Sequence, residues 1–535
     1  MSFVENSNQQ MSLYDQYYSL SLRELNFLKK SWAYYFAENI FPKIDEKRFS
    51  VLYSDNAASR PGTPINVCVG ALILKEMLNQ SDDAFLESLL FDYRYQYALH
   101  TSSMDEQPMS DRTLGRFRAR CLEYESKTGI DLLKDEITHL SSEMAAMMNI
   151  DGTLRRMDSM MVASNIRKLS RLELLYTCLA NMVRELNEST STNLPDDLQH
   201  YCNNDDRNLV IYHNKSDDTA DKISVILKDC KTVIDICSNS FLESSNYILL
   251  QRVLSEQTVL DSDKNYRLRT KEDGGMTANM LQNPSDPDAT FREKAGKQHK
   301  GYSANIVESV GDDGSIVTDY AFAPNTHSDS EFAKEVIEGL GKQKETVTLV
   351  SDGAFGGSQN TELAKENNID LVTTNLTGRE TADINAEFKF NEDGTKVTKC
   401  PGGYEPKSCR HNPATGQCVC SFQLSNCKNC PRYNDCHPKE FKRTCRKIIS
   451  ITSKRRAEQQ RFRSTEKFSV LTKIRNGVET VPSYLRRAHN VDHMPVRGLL
   501  RCKQFFGLKI CGSNIKKLCR YLQGLSFCTP QTAEC

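Results

Sequence analysis

Residues 345–357 read ETVTLVSDGAFGG, an apolar run from Val347 to Val350 that closes on Asp352 and meets the turn residues Gly353, Gly356 and Gly357. A strand that ends on an acid fits the carboxyl edge of an α/β sheet, where functional groups collect. The neighbouring sequence agrees with that reading. Upstream, GYSANIVESV and SIVTDYAFAP form the two arms of a hairpin across Gly311 to Gly314, and SEFAKEVIEGLGKQ has helical spacing. Downstream, TELAKENN reads as a helix and IDLVTTN as a strand. Hairpin, helix, strand, helix, strand is the succession of a mixed α/β sheet. Taken alone, Asp352 reads as a turn residue ahead of a ligand, because Asp-Gly pairs make turns. Asp151, in NIDGTL, has no apolar strand leading into it and is assigned to a turn.

Two further acids stand in different settings. Asp158 lies in RRMDSMMVASNIR (155–167), where strand-compatible residues predominate. Glu479 lies in KIRNGVETVPSYLRR (473–487), where helical spacing puts Arg475, Glu479 and Arg486 on one face and Pro482 sets a boundary or kink just beyond the acid. The plain alternative for Glu479 is a surface ion pair worth a few tenths of a kcal/mol. Carboxylates drawn from distant parts of a chain are the usual means of holding a pair of Mg²⁺ ions, since hard cations take oxygen ligands.

Charge points to a polyanionic partner. The formal net charge is only −1, yet Lys439 to Arg520 holds 22 Lys and Arg against 5 Asp and Glu, a local balance of +17 that leaves −18 for the remainder. Neutralising phosphates and releasing their counterions drives nucleic-acid binding, although a solvated basic surface has the same composition.

Residues 20 to 135 repeat apolar residues at helical spacing, with Pro61, Pro64 and Pro108 as punctuation. The run SDRTLGRFRARC opens with a capping residue, Ser110 or Asp111, and carries Arg116, Arg118 and Arg120 on a short helix. These three are candidate DNA contacts at a helix-turn-helix-like end, or else an ordinary solvated helix. RLELLYTCLANMVRELN is helical, and residues 186 to 285 are a polar stretch with helical pieces such as DKISVILKDCKTVIDIC and NYILLQRVLSEQTVL.

No apolar stretch approaches the roughly 20 residues that cross a bilayer, and the amino terminus lacks a signal peptide's segments, so a cytoplasmic protein with no membrane association is expected. The 19 cysteines then fall in a reducing compartment, where spacing more often means metal than disulfide. Eight lie between Cys400 and Cys445. CKNCPRYNDC supplies Cys427, Cys430 and Cys436, and Cys400 completes a candidate Zn²⁺ set; Cys409, Cys418, Cys420, Cys445, His411 and His437 compete. Free thiols in a loop are the alternative.

With these motifs in view, the chain resembles DDE-type transposases of bacterial insertion sequences, in the branch with a helical amino-terminal domain and a Cys-containing segment before the final glutamate. The resemblance runs over roughly residues 50 to 520, through SDRTLGRFRAR, MDSMMVASNIRKLSRLELL, LQNPSDPDATFREKAGKQHKGYSANIVE, VSDGAFGG, CKNCPRYNDC and NGVETVPSYLRRAHNVDHMPVRGLLRCKQFFGLKICGSNIKK. It implies an α/β fold: an RNase H-like mixed-sheet core with an all-α N-terminal domain, a helical insertion and a small Cys-rich insertion. The parts expected are a helical, DNA-binding 1–145, core 146–185, helical insertion 186–285, core 286–395, Cys-rich 396–447 and a basic helical 448–535 with the glutamate.

The resemblance also assigns roles. Asp158, Asp352 and Glu479 are implied as the catalytic acids and ligands of Mg²⁺ or Mn²⁺. The family's Tyr, Arg, Glu, Lys signature around the glutamate becomes Thr472, Arg475, Glu479 and Arg486 here, so the tyrosine is missing and arginine replaces lysine. Arg475 and Arg486 are implied to steer phosphates, and Arg487, Arg497, Arg501 and Lys503 to hold the DNA backbone. Implied partners are double-stranded DNA, as element ends and target, and a second protomer, with association with the nucleoid when DNA is bound. Rival readings are a metal-dependent nuclease on the same core and an inactive DNA-binding relic.

Overall fold

The computed structural model describes residues 3, 5–6, 15–54, 62–102, 109–189, 194–211, 218–237, 240–294, 296–374 and 380–524. Pro61 and Pro108 lie outside the described residues. The chain divides into two compact units: Met1–Gly152 with Ser159–Ser328 and Thr480–Cys535, and Thr153–Asp158 with Asp329–Glu479.

In the first unit, helices Leu22–Lys29, Trp32–Asn39, Ile65–Leu78, Asp82–Phe91, Tyr93–Ala98, Thr113–Thr128 and Leu132–Met147 match the helical reading of this region. The helix Ile65–Leu78 is mostly apolar and is buried from Ile65 to Met77, with the buried Lys75 and Glu76 paired to each other at 2.7 Å. It packs on Leu499–Leu522, where Gly512 has no room for a Cβ because one would stand 2.7 Å from the Met77 Cα. One expectation is corrected: neither Ser110 nor Asp111 caps the helix Thr113–Thr128, which starts from Arg112 without a side-chain cap. The strands Thr290–Lys294, Lys297–Gly311 and Gly314–Pro324 form antiparallel neighbours, so the hairpin across Gly311 to Gly314 stands as read. Gly301, at φ +147°, faces the Val162 carbonyl too closely for any side chain. Helices Arg171–Glu188, Thr219–Cys237 and Ser245–Gln257 enclose a separate apolar core that includes Leu179, Val183, Ile226, Cys230 and Leu250. The first of them opens with a capping box between Ser170 and Glu173.

In the second unit, Val347–Ser351 runs parallel to Ile369–Thr373 and to the start of the Leu154–Ala163 strand. Helices Asp329–Leu340 and Ser358–Glu366 accompany these strands. The helix Glu466–Gly477 lays Phe468 and Leu471 against Val350 and Val372. The Cys-rich segment forms its own antiparallel sheet from Ser408–Asn412, Gln417–Gln423, Thr444–Ser450 and Lys439–Glu440.

Followed along Leu154–Ala163, the strand order is Thr290–Lys294, Lys297–Gly311, Leu154–Ala163, Val347–Ser351, Ile369–Thr373, with Gly314–Pro324 paired to Lys297–Gly311. That mixed sheet, with a helical amino-terminal region, is consistent with the expected RNase H-like core. No helix among the described residues is long and apolar enough to cross a membrane.

Candidate active site

Asp158 and Asp352 are brought together by strand register. The parallel pairing sets Leu154 beside Thr348 and Arg156 beside Val350. Carried two residues further, it sets Asp158 level with Asp352, and in-register neighbours on parallel strands share a sheet face. Asp352 sits just past its strand and accepts a hydrogen bond from the Gly353 backbone N–H at 2.6 Å, capping the short turn Gly353–Phe355. The turn-residue and ligand readings of this aspartate are thus compatible.

Glu479 arrives from the helix that packs on the same strands. That helix ends at Gly477, and the next, Thr480–His489, begins at once with Pro482 in its first turn. A proline there sacrifices no helical hydrogen bond. The boundary therefore precedes Glu479 instead of following it at Pro482, and the acid stands at the junction of two helices.

One guanidinium joins the three acids. Arg475 Nη1 lies 2.6 Å from Glu479 Oε1, while its Nη2 lies 3.4 Å from Asp158 Oδ2 and 3.9 Å from Asp352 Oδ2. The side chain of Arg475 is 12% exposed, that of Asp158 18%, that of Asp352 38% and that of Glu479 61%. The i,i+4 spacing of Arg475 and Glu479 was legible in the sequence, but its reach to both aspartates was not.

Arg156 escaped the sequence reading altogether. It lies on the face of the strand that carries Asp158, and its Nη1 donates to the Ile474 carbonyl at 2.8 Å, in the last turn before Glu479. A Cβ at Gly477 would overlap that same Nη1, so the glycine makes room for the clamp. The only sequence signal was an arginine two residues before a strand aspartate.

The other basic candidates fall into two groups. Arg116 is exposed, as are Arg487, Arg497 and Arg501. Arg497 Nε donates to the Asn165 carbonyl at 2.7 Å, and Arg487 Nε donates to the Ser483 carbonyl of its own helix at 3.4 Å. Arg486 is held by Asp492 at 3.1 Å and by the Met161 carbonyl at 2.8 Å. Arg118 pairs with Asp82, which Lys75 also contacts, and Arg120 stacks over Tyr53 at 4.8 Å. Lys503 bridges Glu125 and Asp131; burial by itself would lower its pKa, but these two carboxylates outweigh it and raise it. Buried charges require such partners.

The candidate zinc cysteines share one location. Cys400, Cys427, Cys430 and Cys436 line a single small cavity, together with Tyr404 and Lys447. Burial, then Cys445, Cys400 and Cys436, push the Cys427 thiol up to about 12. Cys445, one of the competitors, is therefore a near neighbour of this group. Gly402 lets it close, since a Cβ there would stand 2.7 Å from Cys430 Sγ. Cys409 and Cys420 instead oppose each other across two strands with sulfurs 3.4 Å apart, and Cys418 lies beside them in the core. His437 is exposed.

Among the described residues, no group of three or more His, Cys, Asp or Glu stands at metal-holding spacing, at the acids or at the thiols. In kind, the donors fit: three carboxylates converge on a single cation, and four thiols face one cavity.

Two families match the chain: one described as Transposase DDE domain, over residues 399–519, and one described as Transposase domain (DUF772), over residues 26–120. The first stretch contains Glu479 but neither aspartate. No curated protein and no solved structure matches.

Proposed function

We propose that this chain, a DDE-type transposase of an insertion sequence by its two family matches, binds the inverted-repeat ends of its element and catalyses Mg²⁺-dependent DNA strand cleavage and strand transfer. The observation that carries the proposal is the meeting of Asp158, Asp352 and Glu479 around one guanidinium. Transposases of this type use a divalent metal and act on DNA.

Asp158 and Asp352 would hold the metal from fixed sheet positions, and Glu479 would complete the set from a helix end. Bound there, Mg²⁺ (or Mn²⁺) would supply activation of the attacking oxygen and neutralisation of the leaving one. Arg486 would orient the scissile strand. Arg116, Arg487, Arg497 and Arg501, all exposed, would hold the DNA backbone, while Arg118, Arg120 and Lys503 would act through the intramolecular partners they already have. Bringing two element ends together calls for two protomers. A structural Zn²⁺ held by Cys400, Cys427, Cys430 and Cys436 would staple the Cys-rich sheet.

Asp158→Asn, Asp352→Asn and Glu479→Gln are each expected to abolish Mg²⁺-dependent cleavage of a plasmid carrying the element's ends, while a gel-shift assay finds binding nearly intact. Wild-type cleavage by any one of them would remove that residue from the site.

A further inference from the structure

We infer that Arg475 is the resident counter-ion of the carboxylate cluster and that a divalent cation enters by displacing its guanidinium. This rests on reading Asp158, Asp352 and Glu479 as metal ligands.

Arg475 occupies the place a metal would need. Its two terminal nitrogens contact oxygens of all three acids, at 2.6, 3.4 and 3.9 Å. An octahedral Mg²⁺ binds oxygen at about 2.0–2.1 Å, so its ligands must close around a smaller centre than a planar guanidinium. The acids do not stand at that spacing with Arg475 among them. Ion and guanidinium therefore compete for the same carboxylate oxygens.

Charge explains why the arginine is there. Three carboxylates gathered at one place repel unless a cation lies between them, and a single guanidinium answers only part of that charge. Its hold is incomplete as well: Arg475 Nε is buried without a hydrogen-bond partner, a standing cost that departure would relieve. Arg475 also sits in the last turn of its helix, four residues before Glu479, where a rotamer change withdraws it without moving the strands. Once displaced, it is placed to receive a phosphate, which would couple metal and DNA binding reciprocally.

The test is Mn²⁺ binding to the full, metal-free chain, followed by the electron paramagnetic resonance of free Mn²⁺, for wild type, Arg475→Gln, Arg475→Lys and Asp158→Asn. Removing the competing cation is expected to tighten Mn²⁺ binding roughly tenfold in Arg475→Gln. Arg475→Lys, which keeps the charge, should stay near wild type, and Asp158→Asn should lose binding. Thermal unfolding supplies the second readout. Metal-free Arg475→Gln should melt below wild type and gain more from added Mn²⁺, because its acids have lost the guanidinium that contacts all three of them. Equal or weaker Mn²⁺ binding by a folded Arg475→Gln, with binding still lost in Asp158→Asn, would overturn the counter-ion role and leave the ligand reading intact. Unchanged binding in Asp158→Asn would overturn the ligand reading and this inference with it.

Discussion

His489, fully buried in the helix that follows Glu479, has its Nδ1 3.2 Å from the Glu76 carbonyl oxygen and its Nε2 without a hydrogen-bond partner. Burial, with Lys516 acting in the same direction, lowers its pKa from 6.5 to about 4 against the opposing pull of Glu76. The unfolded chain thus binds a proton that the folded chain refuses. Stability from this group is full above pH 6.5 and lost as pH falls towards 4. A shift of this size corresponds to about 3 kcal/mol. Urea midpoints between those limits should rise with pH in the wild type and rise less in His489→Gln; the same slope in both would rule out His489 as the source. At this scale each of the three acids shows a distinctive local setting in the sequence, but their meeting does not follow from it. The intramolecular partners of Arg118 and Lys503 were not legible either, because nothing near them in sequence shows that Asp82, Glu125 and Asp131 stand opposite.

Among the elements, the helix Glu466–Gly477 matters most, because it delivers Arg475 and Glu479. Its position depends on Phe468 and Leu471 beneath it and on Arg156 at its last turn. Gly477→Ala should push Arg156 off the Ile474 carbonyl and cost about 2 kcal/mol, the scale of a hydrogen bond from a charged donor. If the glycine acts only through that contact, the double variant Arg156→Ala/Gly477→Ala melts no lower than Arg156→Ala alone; additive losses would contradict the clamp. The Cys-rich sheet makes a separate prediction. Metal analysis of the purified chain should find about one zinc, lowered by Cys427→Ser or Cys430→Ser, and a folded, metal-free wild type would refute it. Strands and helices around Asp352 could be read directly, since alternation and helical spacing change cleanly there. The helix break was misplaced because Pro482 drew attention, although a proline is at home in a first turn.

At the scale of the whole molecule, the acids come from a strand, a strand end and a helix end far apart in the chain; strand register sets Asp158 level with Asp352, and the helix Glu466–Gly477 packed on the same strands adds Glu479. Spacing along the chain could not supply that convergence; the resemblance to a known family implied it, and register together with helix packing accounts for it physically. The basic block from Lys439 to Arg520 surrounds only the last acid in sequence, and several of its arginines remain exposed for a polyanion. The most direct test replaces Mg²⁺ with Fe²⁺, which accepts the same oxygen ligands, and uses ascorbate and peroxide to generate radicals that cut the backbone beside the ion. Cuts near Asp158, Asp352 and Glu479 together, all lost in Asp158→Asn, are the predicted result. Cuts that spare any one of the three, or that persist in Asp158→Asn, would contradict a shared metal site.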